Sequence, residues 1–113
     1  MTDWKPINDE ITLTRDADYV RTWQKHPRDP TFPPGTTAEL VITRTNSMTA
    51  EVLATWPAVD VTSDAISFWV QSEDTNQIPD FAAFRLMVHY PPVVDGAETQ
   101  DWCWYRGPVK RKD

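Results

Sequence analysis

Phe84-Arg85-Leu86-Met87-Val88-His89-Tyr90 is the stretch whose reading decides the fold. Phe84, Leu86, Val88 and Tyr90 recur at every second residue, with Arg85 and His89 between them, which is the period of a half-buried strand and not of a helix. Pro91 and Pro92 follow, and since neither can donate to a backbone ladder the strand must end there.

The same rhythm recurs on either side. Upstream, Ile66, Phe68 and Val70 alternate with Ser67, Trp69 and Gln71. Between these two strands, residues 72–80 are polar and accommodate one helical turn capped by Ser72 or Asp74. Further upstream, Ala38 to Thr43 and Glu51 to Trp56 flank a turn containing Asn46-Ser47 and pair as a hairpin, with Val52, Ala54 and Trp56 on one face. Tyr19 to Gln24 also fits a helical face behind Asp16, but its Tyr, Val, Thr and Trp favour a strand. Ile11 and Leu13 alternate with threonines in a short first strand, and the proline-laden stretch 26–37 is a loop. Downstream, Trp102 to Tyr105 is the last strand.

About seven short strands with no helix of three turns predict an all-β chain: a single antiparallel β-sandwich of immunoglobulin-like type. A small closed barrel is the alternative, because periodicity does not separate one folded sheet from two packed ones. Residues 1–8 read as an N-terminal arm in which Trp4 docks on something, 9–109 as the sandwich, and 110–113 as a basic C-terminal tail.

Composition narrows the function classes. A chain of 113 residues makes one domain, burying roughly two thirds of the surface its unfolded form exposes. Seventeen acidic against eleven basic residues give a net charge of -6, which repels a phosphate backbone and an anionic membrane. Ten Pro against three Gly leave little room for a glycine-rich phosphate loop. No apolar run is long enough to span a bilayer, and Met1-Thr2-Asp3-Trp4-Lys5 lacks a secretion pattern, so synthesis in a cytoplasm is expected. Cys103 is the sole cysteine, which excludes an intrachain disulfide.

Catalytic patterns are missing from the sequence. His26 and His89 are the only histidines, one in a proline loop and one on the solvent side of a strand, and no cluster has metal-ligand spacing. Carboxylate pairs such as Asp9-Glu10 and Glu73-Asp74 sit in polar loops, without the apolar walls that raise the pKa of a general acid. The expectation is no enzyme, no cofactor and no metal.

Aromatic placement is more telling. With Ile66, Phe68, Val70, Phe84, Leu86 and Val88 facing the core, Trp69 and Met87 point outward. In the last strand both faces are apolar, Trp102 and Trp104 against Cys103 and Tyr105, so one pair must lie outside the core. Three readings stand: the chain's own loops cover these side chains, they form a contiguous interface patch of Trp69, Met87 and the last strand, or flat rings stack on a sugar. The basic end, with Arg106, Lys110 and Arg111, is either a solvated tail or a docking element for an acidic surface.

Ala54-Thr55-Trp56-Pro57-Ala58, Ala65-Ile66-Ser67-Phe68, Phe84-Arg85-Leu86-Met87-Val88 and the ending Trp104-Tyr105-Arg106-Gly107 together resemble small β-sandwich proteins of tailed bacteriophages. The likeness is to the LtfC and collar-protein type, common in phages of actinobacteria. It implies a non-enzymatic structural protein of the virion: a ring-forming component or adaptor of the tail, at the collar, tail tip or fibre attachment. It implies no catalytic residues and no cofactor, with other virion proteins and copies of the chain itself as partners, and a tail position favoured over the capsid. Capsid decoration or a head-to-tail role is the alternative within that class. A carbohydrate-binding module using exposed tryptophans is the alternative outside it.

Overall fold

The computed structural model describes residues 7–47, 49–91 and 100–113, and its elements run β1 (Ile7–Asn8), β2 (Ile11–Leu13), β3 (Tyr19–Gln24), β4 (Thr37–Thr43), β5 (Val52–Pro57), β6 (Asp60–Val61), β7 (Ala65–Val70), α1 (Ser72–Thr75), β8 (Ala82–Tyr90) and β9 (Gln100–Arg111). They form two sheets. Six strands make the larger, in the order β1-β9-β8-β4-β5 with β2 also on β9, and β3-β7-β6 make the smaller. No helix among the described residues is long and apolar enough to cross a membrane.

The strand rhythm decides what is inside. Phe84, Leu86 and Val88 from β8, and Ile66, Phe68 and Val70 from β7, are all at most 5% exposed and meet between the sheets. Leu40 and Ile42 of β4 lie on that side too, through their register with Leu86 and Phe84. Each such aliphatic or aromatic side chain contributes about 1.5–3 kcal/mol by leaving water. Trp23 of β3 bridges the sheets, edge-on to Phe68 at 5.7 Å and tilted against Phe84 and Tyr105.

The sandwich and its hairpin β4–β5 stand as the periodicity implies, and Tyr19–Gln24 is a strand. Several expectations are corrected. Nine strands are present among the described residues instead of about seven, and the sandwich is not wholly antiparallel, because β1 and β2 pair parallel to β9. The helical turn is capped by neither Ser72 nor Asp74; Gln71 is its N-cap and makes no side-chain bond. A register shift at Ile42/Thr43 packs Leu53 against the core beside Ala54 and leaves Val52 53% exposed.

The end of the chain differs most. Residues 110 and 111 are not a tail: β9 runs to Arg111, with Lys110 and Arg111 opposite Thr12 and Leu13 of β2. Lys112 then donates its backbone N–H to Leu13 O. Gly107 makes this possible, because a Cβ there would overlap the carbonyl oxygen of Asp9 where the chain passes from β1 to β2. Pro108 falls opposite the same break, where the edge ladder is already interrupted.

Candidate functional site

The outer face of the six-stranded sheet is a grid fixed by strand register. One row crosses Thr37, His89 and Asp101; the next holds Glu39, Met87 and Cys103; a third holds Val41, Arg85 and Arg106; the last described row holds Thr43, Ala83 and Pro108. Polarity changes sign along these rows. In the first, His89 Nδ1 lies 2.6 Å from Asp101 Oδ1 and its Nε2 lies 3.2 Å from Glu39 Oε1. The bond to Asp101 above all, and that to Glu39, outweigh burial and raise the imidazole pKa.

Two rows away, Arg85 and Arg106 are direct cross-strand neighbours. Neither has a carboxylate partner among the described residues, and Arg85 Nε is buried without a hydrogen bond. Cys103 is half-buried near them, its Sγ 3.5 Å from Tyr105 O. Burial pushes its thiol pKa up against the pull of the two guanidinium groups. Beside the arginines runs a groove of about 630 Å³, lined also by Asn8, Thr43, Thr45, Ser47 and Phe81. Phe81 is 86% exposed and held at φ 66°, a left-handed conformation that a bulky side chain rarely adopts.

On the far side of the sandwich, Trp69 stands outward from β7 opposite Val20 of β3, and both are more than half exposed. The Trp69 indole donates to Asp18 Oδ2 at 2.9 Å, and the other oxygen of that carboxylate accepts the Ser72 N–H. Trp69 and Met87 therefore do not share a contiguous patch, because their strands belong to different sheets. Alternation within a strand gives the face but not the sheet.

The last strand corrects a second expectation. A register shift between Leu86 and Met87 inserts Trp104 as an extra residue, so that Trp104 and Tyr105 both turn toward the core. Trp104 is 5% exposed and packs edge-on to Phe32, so it is core and not interface. Trp102 is half-buried at the open end of the core, edge-on to Tyr90. Trp69 is the only exposed tryptophan among the described residues, which therefore present no coplanar pair for a sugar. Trp4 lies outside the described residues.

The basic residues divide. Arg106 is exposed and faces the groove, and Lys110 is exposed but reaches Glu10 at 3.1 Å. Arg111 is structural and not a docking element: its Nη1 donates to Thr75 O and Ile78 O at 2.8 and 3.0 Å, holding the end of α1, and Asp113 takes its other nitrogens.

Sequence reasoning placed Asp9 in a solvated loop, whereas the fold makes it a clamp between sheets. Its Oδ2 accepts from Trp23 Nε1 at 3.1 Å and Arg21 Nη2 at 2.5 Å, while Arg21 lies over the Trp23 ring. Burial pushes the Asp9 carboxyl up, but the Glu10 N–H, Trp23 and Arg21 together hold it below its ordinary value. Phe81 and Arg85 were also missed as surface features. Phe81 had no signal beyond its place after Pro79-Asp80, and Arg85 reads as any polar residue of an alternating strand.

The described residues hold no group of three or more His, Cys, Asp or Glu arranged for a metal, and His89 stands on a sheet face between carboxylates without a nucleophile in the pairings it makes. No curated protein matches the chain. The LtfC-like, beta-sandwich domain family matches residues 5–112, nearly the whole sequence and both sheets described above, and the chain belongs to that family.

Proposed function

We propose that this protein is a non-enzymatic structural component of a phage tail, an adaptor or ring-forming element that docks on neighbouring virion proteins and on copies of itself. The observation that carries this reading is the family match over residues 5–112, which suggests a tail-fibre-related structural protein. Two features of the fold support it. The interior is packed with aliphatic and aromatic side chains from both sheets, while Trp69 and Val20 stand side by side on an outer face. A tryptophan kept outside a packed core is the residue type most enriched at binding hot spots.

Trp69→Ala tests the reading in assembled particles. The substitution removes one exposed hydrogen bond, to Asp18, so folding should lose no more than about 0.5–1.5 kcal/mol in a urea melt. The amount of this chain per purified particle should fall roughly tenfold, the loss that follows when a contact worth about 1.4 kcal/mol disappears. Particles that never contain the chain, by mass spectrometry of the wild-type virion, refute the structural role. Normal incorporation of the variant refutes Trp69 as the anchor.

A further inference from the structure

The groove beside Arg85 and Arg106 joins three features that folding alone does not require. Like charges directly opposite one another on paired strands repel, and these two guanidinium groups are register partners with no carboxylate among the described residues to separate them. The chain does not lack carboxylates: it has seventeen acidic residues, and it pairs Arg21, Arg44, Lys110 and Arg111 with its own. Asp9 lines the same groove, but its carboxylate is engaged by Arg21 and Trp23.

The second feature is Arg85 Nε, a buried donor that finds no acceptor among the described residues. Such an orphan is costly unless something outside the chain supplies the acceptor. The third is Phe81 on the groove wall, 86% exposed and in a left-handed backbone conformation that glycine would adopt without strain. An aromatic ring held outward beside two arginines that meet no carboxylate among the described residues has the composition of a hot spot. A guanidinium fork matches a carboxylate bidentately.

We propose that this groove is a docking site for an acidic segment of a partner protein, with carboxylates of that segment received by Arg85 and Arg106 and an apolar side chain of it resting on Phe81. The inference deepens the docking reading above and rests on it only in taking the partner to be a protein. A net charge of -6 favours discrete carboxylates at a local basic pair over a continuous phosphate backbone, which the rest of the surface would repel.

The test follows the arginine Nε–Hε signals of the full chain by NMR during titration with a synthetic hexaglutamate peptide, and in separate arms with inorganic phosphate and with oligothymidylate. The peptide should shift the Arg85 and Arg106 signals saturably, and its affinity should fall steeply as ionic strength rises from about 0.01 to about 1 M. Arg106→Gln, at an exposed position that tolerates the change, should weaken binding by about tenfold or more. Arg106→Lys should restore only part of it, because an ammonium lacks the fork. Phe81→Gly relieves the backbone and leaves the fold intact, and with a peptide carrying leucine between its glutamates it should lower affinity several-fold. Signals unmoved by the peptide overturn the site, as does equal binding to Arg106→Gln. Inorganic phosphate binding as tightly as the peptide makes it a small-anion site, and tighter binding of oligothymidylate makes it a nucleic-acid site; either result also overturns the proposal. Incorporation of Trp69→Ala into particles is read independently, so a failure here leaves the tail assignment to its own assay.

Discussion

His89 and Arg85 stand four residues apart on the outward side of one strand, β8, and the fold treats them in opposite ways. His89 is flanked by carboxylates from both neighbouring strands, Glu39 of β4 and Asp101 of β9. Arg85 is flanked by Val41 of β4 and by a second arginine of β9. The register shift between Leu86 and Met87 separates the two slots, and the side chains that the strands deliver on its two sides differ in charge. His89 takes one carboxylate from its own row and one from the next, so its charge is balanced within the fold. The arginine row leaves a repulsion that the inner face of the same strand must hold in place.

The strongest way to break this comparison is to weaken that inner face. Leu86 lies between the two rows, 0% exposed, opposite Leu40 and Tyr105. Leu86→Ala should cost roughly 2–5 kcal/mol in chemical denaturation, and it should loosen the arginine row first because that row has no ion pair of its own among the described residues. A cost well under 1 kcal/mol would mean the strand is not anchored as described.

Gly107→Ala comes next and separates the rows. Its methyl would overlap the Asp9 carbonyl oxygen, and a clash with backbone in a packed region costs roughly 1–3 kcal/mol. The damage should stay where β1 and β2 cross β9, on the arginine side. Hydrogen exchange should therefore speed up at Asp9, whose N–H bonds Arg106 O, while amides near His89 keep their protection. Uniform loss of protection would show that the sheet responds as one unit and that the rows are not separable.

Much of this layout was legible before any coordinates. The alternation in Phe84 to Tyr90 and in Ile66 to Val70 correctly names the buried side of β8 and β7, because sheet faces are set by a period of two. What alternation does not carry is long-range pairing. It leaves open which sheet a strand joins, so the reading that joins Trp69 and Met87 in one patch, one of three that the sequence allows, meets strands on opposite flanks. It also fails at an inserted residue: one bulge at Trp104 turns two consecutive aromatics inward. Arg106 to Arg111 was read as a basic end because Gly, Pro and cations are poor strand formers. Its strand depends on β2 arriving alongside, on Gly107 admitting Asp9, and on Arg111 finding the carbonyls of Thr75 and Ile78. Asp9 likewise became a clamp only through Arg21 and Trp23, residues of another sheet. The family likeness read from the ending Trp104 to Gly107 holds over residues 5–112, and the ending includes both the bulge and the glycine on which the edge of the sheet depends.

The smallest effect sharpens the comparison from the balanced side. A protonated imidazole donates to Asp101 and Glu39 together, whereas a neutral one donates to one and turns a lone pair toward the other. The folded pKa is therefore raised above the ordinary 6.5. A raised pKa means that the native state holds the proton more tightly than the unfolded chain, so the stabilisation is complete below the unfolded value and is lost as pH climbs through the folded one. Both carboxylates are substantially solvated, at 34% and 52% exposure, which limits the gain to about 0.2–1 kcal/mol and makes it sensitive to salt. Comparing wild type with His89→Gln in urea melts across this pH range should show the wild-type advantage at the acid end shrinking toward alkaline pH. NMR titration of His89 should place its midpoint above the ordinary 6.5. A midpoint at or below the ordinary value would mean that His89 is not balanced by these two carboxylates, and the contrast with the arginine row would lose its reference.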